Sequence, residues 1–386
     1  MNTRINIAVL VPYRVFPARM GGQKCIVLLY KYLRQLHSLR IISTEDNDPS
    51  ATEGIPSDLI LKKSKLRYLD LFSFFRIKKI IKEHQINCLI LEHPYLGWLG
   101  LLLKWSTGIK LIIHSHNIEG LRFKSMGKWW WGLLWNYERW IHRMADHNYF
   151  ITDHDLKYAI RKFKLKESQC SLITYGIEQQ QPPAPELQQQ ARQTLLARHQ
   201  IPEENKLILF NGTLSYSPNT QAIRAIRDII NPFLASHSVH PYTLLICGKD
   251  LPAEFNGLKG LKNVVYAGFV EDIDTYFLGS DIFINPVIEG GGIKTKLVEA
   301  LALGLTCIST EDGAIGIPAS VYRDQLSIVP NADLSGFNQK IIESLGATKQ
   351  QASVAFFDHF YWGKIAQQAG SALVNLLSDR SGSHHA

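Results

Sequence analysis

The stretch from Asn285 to Gly304, NPVIEGGGIKTKLVEALALG, holds the residues best suited to binding an anion. Gly290, Gly291 and Gly292 follow a strand-like run, DIFINP, and lead into a run with helical spacing. Glycine lets a ligand approach the backbone closely. A helix N-terminus draws anions through unpaired N–H groups and its dipole. Lys294 and Lys296 flank Thr295 at this junction, where the dipole disfavours positive charge, and a local rule broken at one place marks a candidate site. Lys296 and Glu299 are three apart and can project from one helix face. Cations and amides suit a diphosphate, and a carboxylate suits ribose hydroxyls, so the set fits a nucleotide. The plain alternative is a glycine-rich turn before a helix with solvated lysines.

Two further groups stand at strand ends. Gly21 and Gly22 follow INIAVLV and PYRVFPARM and open a helical run, a place for backbone contact with a phosphate or sugar, or a plain turn. HSHNIE puts His114, His116, Asn117 and Glu119 after an aliphatic run, and polar residues at the C-terminal end of a parallel strand point into a cleft. A lone histidine there is more often structural. Asp153 with Asp155, and Asp272 with Asp274, fall at expected helix starts, where Asp caps the turn and complements the dipole. No metal site is expected from them, and no catalytic triad or metalloprotease motif occurs.

Positioning such groups needs alternating strands and helices. INIAVLV, INCLILE, IKLIIHS, HNYFIT and CSLIT in the first half, and KLILFNG, YTLLICG, NVVYAG, DIFINP and LTCIS in the second, are short aliphatic runs separated by helical patterns. That is the signature of mostly parallel α/β sheets. In QKCIVLLYKYLRQL, Ile26, Leu29, Leu33 and Leu36 fall on one helix face. At 386 residues the chain is long for one core, so two domains are expected. The rhythm breaks between Glu178 and Asn205, where a glutamine run and Pro182, Pro183 and Pro185 suggest a linker. Two doubly wound sheets so joined imply a cleft where strand C-termini meet.

Hydrophobic residues are 46% and charged residues 20%, the balance of a soluble globular protein. No apolar run is long enough to span a bilayer, and the N-terminus enters a strand pattern at once without a signal-peptide cleavage site, so a cytoplasmic location is expected. Cys25, Cys88, Cys170, Cys247 and Cys307 are dispersed and read as reduced core cysteine. The net charge of +8 suits phosphorylated donors, acidic membranes or nucleic acid, but no nucleic-acid module or concentrated basic stripe is present.

By NPVIEGGGIKTKLVEALALG, HSHNIE, YERWIHRMADHNYFITDHDL, ITYGIE, FNGTLSYSPNT and AGFVED, the chain resembles the retaining glycosyltransferases of family 4 (glycosyl transferases group 1) over nearly its whole length. The resemblance implies the GT-B fold, two Rossmann-like doubly wound domains facing across a cleft. Residues 1–178 would bind the acceptor, 179–205 would be the linker, 206–355 would bind the nucleotide sugar, and helices over 356–380 would cross back to the first domain. It implies that Gly21 and Gly22 lie beside the donor diphosphate and the acceptor, and that His116 hydrogen-bonds a hydroxyl of the donor sugar and orients it. Gly212 and Thr213 would face the diphosphate, with Ser217 or Asn219 capping the next helix. Backbone at Phe269 and Val270 would meet the nucleobase. Lys294, Thr295 and Lys296 would hold the phosphates and Glu299 the ribose.

Two departures stand out. Many members carry an Arg and a Lys in the loop that reads FNGTLSYSPNT here, which shifts the cationic burden to Lys294 and Lys296. The family's first glutamate would fall at Gly291, with Glu289 two residues too early; either Glu289 takes its place in donor binding, or the amides of Gly290, Gly291 and Gly292 hold the sugar hydroxyls instead. The implied activity is sugar transfer from a nucleotide sugar to a glycan or lipid-linked acceptor with retention, in cell-surface polysaccharide biosynthesis, without cofactor or metal. A nucleotide-sugar epimerase of the same fold and a catalytically silent scaffold are the alternatives.

Trp129, Trp130, Trp131, Trp135 and Trp140 fall within twelve residues beside Lys124, Lys128, Arg139 and Arg143, and KKSKLRYLDLFSFFRIKKIIKEH is likewise basic and aromatic. On a helix, Trp130, Leu134, Tyr137 and Ile141 share one face, with Trp131 and Trp135 on a neighbouring stripe. Trp with Lys and Arg suits a membrane interface, so peripheral contact with the inner leaflet through Trp129–Trp140 is one reading. A core helix packing its tryptophans against the sheet is the other.

Overall fold

The computed structural model describes residues 4–378. The chain divides into two units, one running to Glu178 and resuming at Phe360, the other spanning Gln179–His359. The first holds seven parallel strands: β1 (Asn6–Leu10), β2 (Ser38–Thr44), β3 (Ser57–Leu61), β4 (Cys88–Glu92), β5 (Lys110–Ser115), β6 (His147–Phe150) and β7 (Cys170–Leu172), in the order β3-β2-β1-β4-β5-β6-β7. The second holds six: β8 (Lys206–Asn211), β9 (Tyr242–Cys247), β10 (Val264–Gly268), β11 (Ile282–Asn285), β12 (Thr306–Thr310) and β13 (Leu326–Val329), in the order β10-β9-β8-β11-β12-β13. Continuous aliphatic runs form these strands because helices cover both faces; every residue of β4 and of β9 is buried. Strand order reverses between β1 and β4 and again between β8 and β11, and such switch points are where doubly wound sheets leave a crevice for ligands.

In the first unit the helices that matter are α1 (Gly21–Leu33), α2 (Phe72–Glu83), α3 (Gly97–Thr107), α4 (Glu119–Ser125) and α5 (Trp131–Met144). Helices α2, α3 and α5 form one layer, burying Ile77, Ile81, Leu99, Leu103 and Ile141 against Leu89 and Leu91 of β4 and Leu111 and Ile113 of β5. Helix α1 packs against Trp362–Ser378. The returning chain is tied down by Ile177 N–H to Phe360 O (2.7 Å) and Trp362 N–H to Ile177 O (3.0 Å), and by Tyr149 O–H to Ala369 O (3.0 Å).

Three expectations change. Ile26, Leu29 and Leu33 are buried on α1, but the helix stops at Leu33 and Leu36 lies in the following turn, 38% exposed. Of 179–205, Pro185–His199 is a helix of the second unit, because Ala191 and Leu195 bury against Gly279 and Arg192 pairs with Asp281 at 2.7 Å. The return to the first unit begins at Phe360, after the expected start at 356, and residues 379 and 380 of the expected closing helices lie outside the described residues.

Candidate functional site

In the second unit, the loops after β8 and β11 meet at the switch point. Lys296, in the first turn of the helix Thr295–Ala302, donates from Nζ to Asn211 O (2.9 Å) at the end of β8 and to Asn219 Oδ1 (3.1 Å). It also lies 4.4 Å from the centroid of the Phe210 ring. Among the described residues those two oxygens are its hydrogen-bond acceptors, two for three N–H donors. Burial, and then the charge of Lys294, push its pKa down to about 7.

Lys294 is the N-cap residue, and its Nζ reaches the carbonyls of Gly290 (2.8 Å), Gly291 (3.3 Å) and Gly292 (3.1 Å). It gathers the glycine loop around itself. Gly290 and Gly292 have φ of 97° and 68°, a backbone that side chains resist, so the loop demands glycine there. Thr295 opens the helix and Glu299 lies on it one turn beyond, partly exposed. Glu289 is exposed and accepts from Gln221 Nε2 at 3.1 Å, outside the cluster on Lys296.

Gly212 and Thr213 form the loop after β8, and the expected cap is not made. Tyr216 is the N-cap of the helix Ser217–Ala225 and gives no side-chain bond, while Asn219 lies inside the first turn. Asn219 instead donates from Nδ2 to Thr213 O (2.9 Å) while accepting from Lys296, so it couples the two loops. Phe269 and Val270 follow β10 at the sheet edge, two strands from β8, and Phe269 is 66% exposed.

In the first unit, the ends of β4 and β5 carry a buried polar cluster. Glu92 is fully buried and accepts from Tyr30 O–H, from His114 Nδ1 (2.9 Å) and from His116 Nε2 (2.6 Å). Burial works to raise the Glu92 carboxyl, but its two histidine neighbours reverse this and hold it well below the usual range. Burial, then the neighbouring His93, lower His116 to about 4, so its ring is neutral at pH 7. With Nε2–H donating to Glu92, the lone pair of His116 sits on Nδ1, an acceptor.

His93 has a left-handed backbone (φ 65°), links Tyr13 O–H (2.9 Å) to Glu119 Oε1 (3.2 Å), and lies 4.4 Å from the His116 ring. Burial opposes the ionisation of Glu119, yet His93, Arg122 and Tyr95 bring it down to about 2. Glu138 of α5 caps α4 through the N–H groups of Glu119 and Gly120, each at 2.9 Å, and burial pushes its carboxyl up to about 8. His114, His116 and Glu119 are thus brought into one network. Glu92 and His93, which complete it, were legible only as EHP at the end of INCLILE, the same pattern that drew attention to HSHN.

Gly21 and Gly22 open α1 as expected from the sequence; a Cβ on Gly22 would meet nothing within 4 Å, so packing does not require the glycine. Gln23 Oε1 accepts from Arg19 N (2.9 Å) and Met20 N (3.0 Å) and fixes the approach to them. Asp272 caps its helix on Thr275 N (3.2 Å), while Thr152 caps the helix of Asp153 and Asp155. Glu92, His114 and His116 place three metal-ligating atoms within 4.8 Å of one another. They contact each other directly at 2.6 and 2.9 Å, the distances of shared protons, whereas ligands to zinc converge on a common centre at roughly 2.0–2.2 Å.

Residues 20–181 match the family described as Glycosyltransferase Family 4, and residues 205–346 the family described as Glycosyl transferases group 1. A protein of Sulfolobus islandicus filamentous virus (isolate Iceland/Hveragerdi), named as an inferred glycosyltransferase, number 45, is 36% identical over 90 residues, 22% of this chain. The match spans about a quarter (24%) of the length of that curated relative. Sucrose-phosphate synthase from Thermosynechococcus elongatus aligns over 97% of this chain and 100% of its own, with a TM-score of 0.73 and 16% identity. Anabaena HepE in complex with UDP and glucose aligns over 95% of this chain and 99% of its own, with a TM-score of 0.71 and 14% identity. The two parallel sheets, of seven and six strands, are those of the GT-B fold.

Proposed function

Because the chain belongs to glycosyltransferase family 4, we propose that it moves a sugar from a nucleotide-sugar donor to a glycan or lipid-linked acceptor, with retention of configuration. The observation that carries this reading is Lys296, a half-buried amine with two acceptors for its three donors, at the switch point of the second sheet beside a glycine loop. Charge develops on the nucleoside diphosphate as the glycosidic bond breaks. Lys296 and the N-terminal amides of Thr295–Ala302 would stabilise it. Lys294 would set the loop whose amides at Gly290, Gly291 and Gly292 meet the sugar hydroxyls, and Glu299 would take the ribose. The loop at Gly212 and Thr213 would border the diphosphate, and backbone at Phe269 and Val270 the base. Gly21 and Gly22 would serve the acceptor, with His116 Nδ1 accepting from a hydroxyl of the donor sugar.

No resident metal or cofactor enters this reading, since a half-buried ammonium and helix amides can supply the positive charge. UDP-sugars are the donors to try first, because HepE was solved with UDP and glucose. An acceptor in cell-surface polysaccharide synthesis would put the work at the cytoplasmic face of a membrane. Among the described residues no helix is long and apolar enough to cross one, so contact there would be peripheral.

The test is thermal stabilisation by a panel of nucleoside diphosphates and nucleotide sugars, with release of diphosphate measured alongside. Ligand at about 100 times Kd adds roughly 2.7 kcal/mol of stability. A selective shift that Lys296→Ala removes, in a variant that melts normally, supports the donor site. No shift with any nucleotide would leave the silent scaffold ahead. Conversion of the donor to an epimeric nucleotide sugar without an acceptor would favour the epimerase.

A further inference from the structure

The residues facing outward from the α2–α3–α5 layer break the pattern of a solvated surface. On α2 and the turn before it, Leu69 is 81% and Phe72 75% exposed, and Leu66, Leu71 and Phe75 are exposed as well. Trp105 stands out from α3. On α5 and the residues leading into it, Trp129 is 86% and Leu133 70% exposed, and Trp140 and Met144 follow on the outer side. Ile141, by contrast, is buried inward and Trp135 packs against Phe163, so only part of the tryptophan cluster is core. The two aromatic-basic stretches, far apart in sequence, sit on helices joined through α3.

The charge on this face has one sign. Arg76, Lys79 and Lys82 are exposed on α2, Lys124 and Lys128 precede α5, and Arg143 is exposed on α5. Acids are nearly excluded from it. Helix α3 has none, the glutamate of α5 is the buried Glu138, and Glu83 of α2 pairs with Lys79 at 3.6 Å. Asn136, Arg139, Trp140, Arg143 and Met144 line a recess of about 390 Å³ on the outer side of α5, with two guanidinium groups one turn apart. Planar guanidinium groups recognise phosphate oxygens in pairs, and an indole beside them sits at the level of lipid headgroups.

We propose that this face docks on an anionic phospholipid bilayer, with Arg139 and Arg143 clasping a lipid phosphate and the leucine, phenylalanine and tryptophan side chains entering the headgroup boundary. The proposal deepens the peripheral contact suggested above and is independent of sugar transfer, which is read out on the second unit. Free phosphate lacks the acyl region that the apolar residues require. A lipid-linked acceptor would fill the recess without needing the rest of the face.

Flotation of the full chain with vesicles of phosphatidylcholine alone, and of phosphatidylcholine with phosphatidylglycerol, tests it at low and high salt. The protein should float with the anionic vesicles at low salt and be released by salt. The pair Arg139→Gln and Arg143→Gln should weaken partitioning about thirtyfold, and Phe72→Ser with Phe75→Ser should also reduce it. The phenylalanine variant should keep the wild-type melting temperature and nucleotide-induced shift, since Phe72 and Phe75 are exposed. Arg139 lies partly buried over the Trp135 ring, so Arg143→Gln alone, at an exposed position, should keep both and still weaken partitioning about fivefold. Failure to float with anionic vesicles at low salt would overturn the proposal. So would equal flotation of the arginine pair variant, equal binding to neutral vesicles, competition by millimolar inorganic phosphate alone, or flotation only with vesicles carrying a polyprenyl phosphate.

Discussion

In the proposed function, the chemistry would turn on single protons at two residues. Lys296 holds its proton with a pKa of about 7 against the usual 10.5. The unfolded chain therefore binds more protons than the folded one between pH 7 and 10.5, and stability rises with pH through that window as the burial cost of the ammonium is relieved. A bound diphosphate favours the ammonium, so binding near pH 8 should take up close to one proton, and affinity should fall up to tenfold per pH unit above about 7. Calorimetry in two buffers of different ionisation enthalpy measures this; uptake unchanged in Lys296→Ala would assign the proton elsewhere. His116 depends on Glu92 in the same way. A glutamine at 92 offers N–H to the ring, moves the ring proton to Nδ1 and removes the acceptor. Glu92→Gln should therefore lower kcat about a hundredfold with little change in nucleotide binding, and unaltered kcat would make the cluster purely structural. Lys296 stands out in the sequence because it breaks a local rule, and His116 because it ends a strand in a loop that resembles a family pattern. Asn219 reads there only as a helix cap and Glu92 only as the end of a strand, because their hydrogen bonds come from residues 77 and 24 positions away.

Elements explain which local expectations failed. Strands were legible because a parallel sheet buried on both faces requires unbroken aliphatic runs. The apolar period overruns the end of α1 because neither Arg34 nor Gln35 is a helix breaker, and Leu36 continues the period beyond Leu33. Pro185–His199 reads as polar and helix-prone in the sequence, and only its place in the second unit is masked, because its glutamines surround two buried positions, Ala191 and Leu195. The glycine loop shows the opposite case, where a side chain organises a backbone segment. Lys294→Met should loosen the loop, since charged hydrogen bonds of this kind contribute about 1.5–3 kcal/mol, and nucleotide affinity should fall tenfold or more. The same substitution removes the second cause of the depressed Lys296 pKa. The pH at which binding weakens should then move above that of the wild type. A profile that keeps its midpoint while affinity drops would show that Lys294 does not act on Lys296 electrostatically.

At the scale of the whole chain, the polypeptide builds one unit, then the other, and returns to complete the first. Helix α1 has its inner face on the sheet and a neighbour in Trp362–Ser378, where Trp362, Ile365, Ala369 and Leu373 are buried. Burying such side chains contributes about 1.5–3 kcal/mol for each large one, a sizeable share of the 5–15 kcal/mol that holds a domain folded. A chain ending at His359 should lose that support and expose the first unit's sheet, while the second unit keeps every residue of its own core. Hydrogen exchange should then show collapsed protection in β1, β4, β5 and β6 and retained protection in β8, β9, β11 and β12. Nucleoside diphosphate should still slow exchange at the loops around Asn211 and Lys296 in the shortened chain. Loss of protection in both sheets together would mean that the second unit cannot stand without the first. Full protection in both would show that the returning helix is dispensable and that α1 is held by the sheet alone.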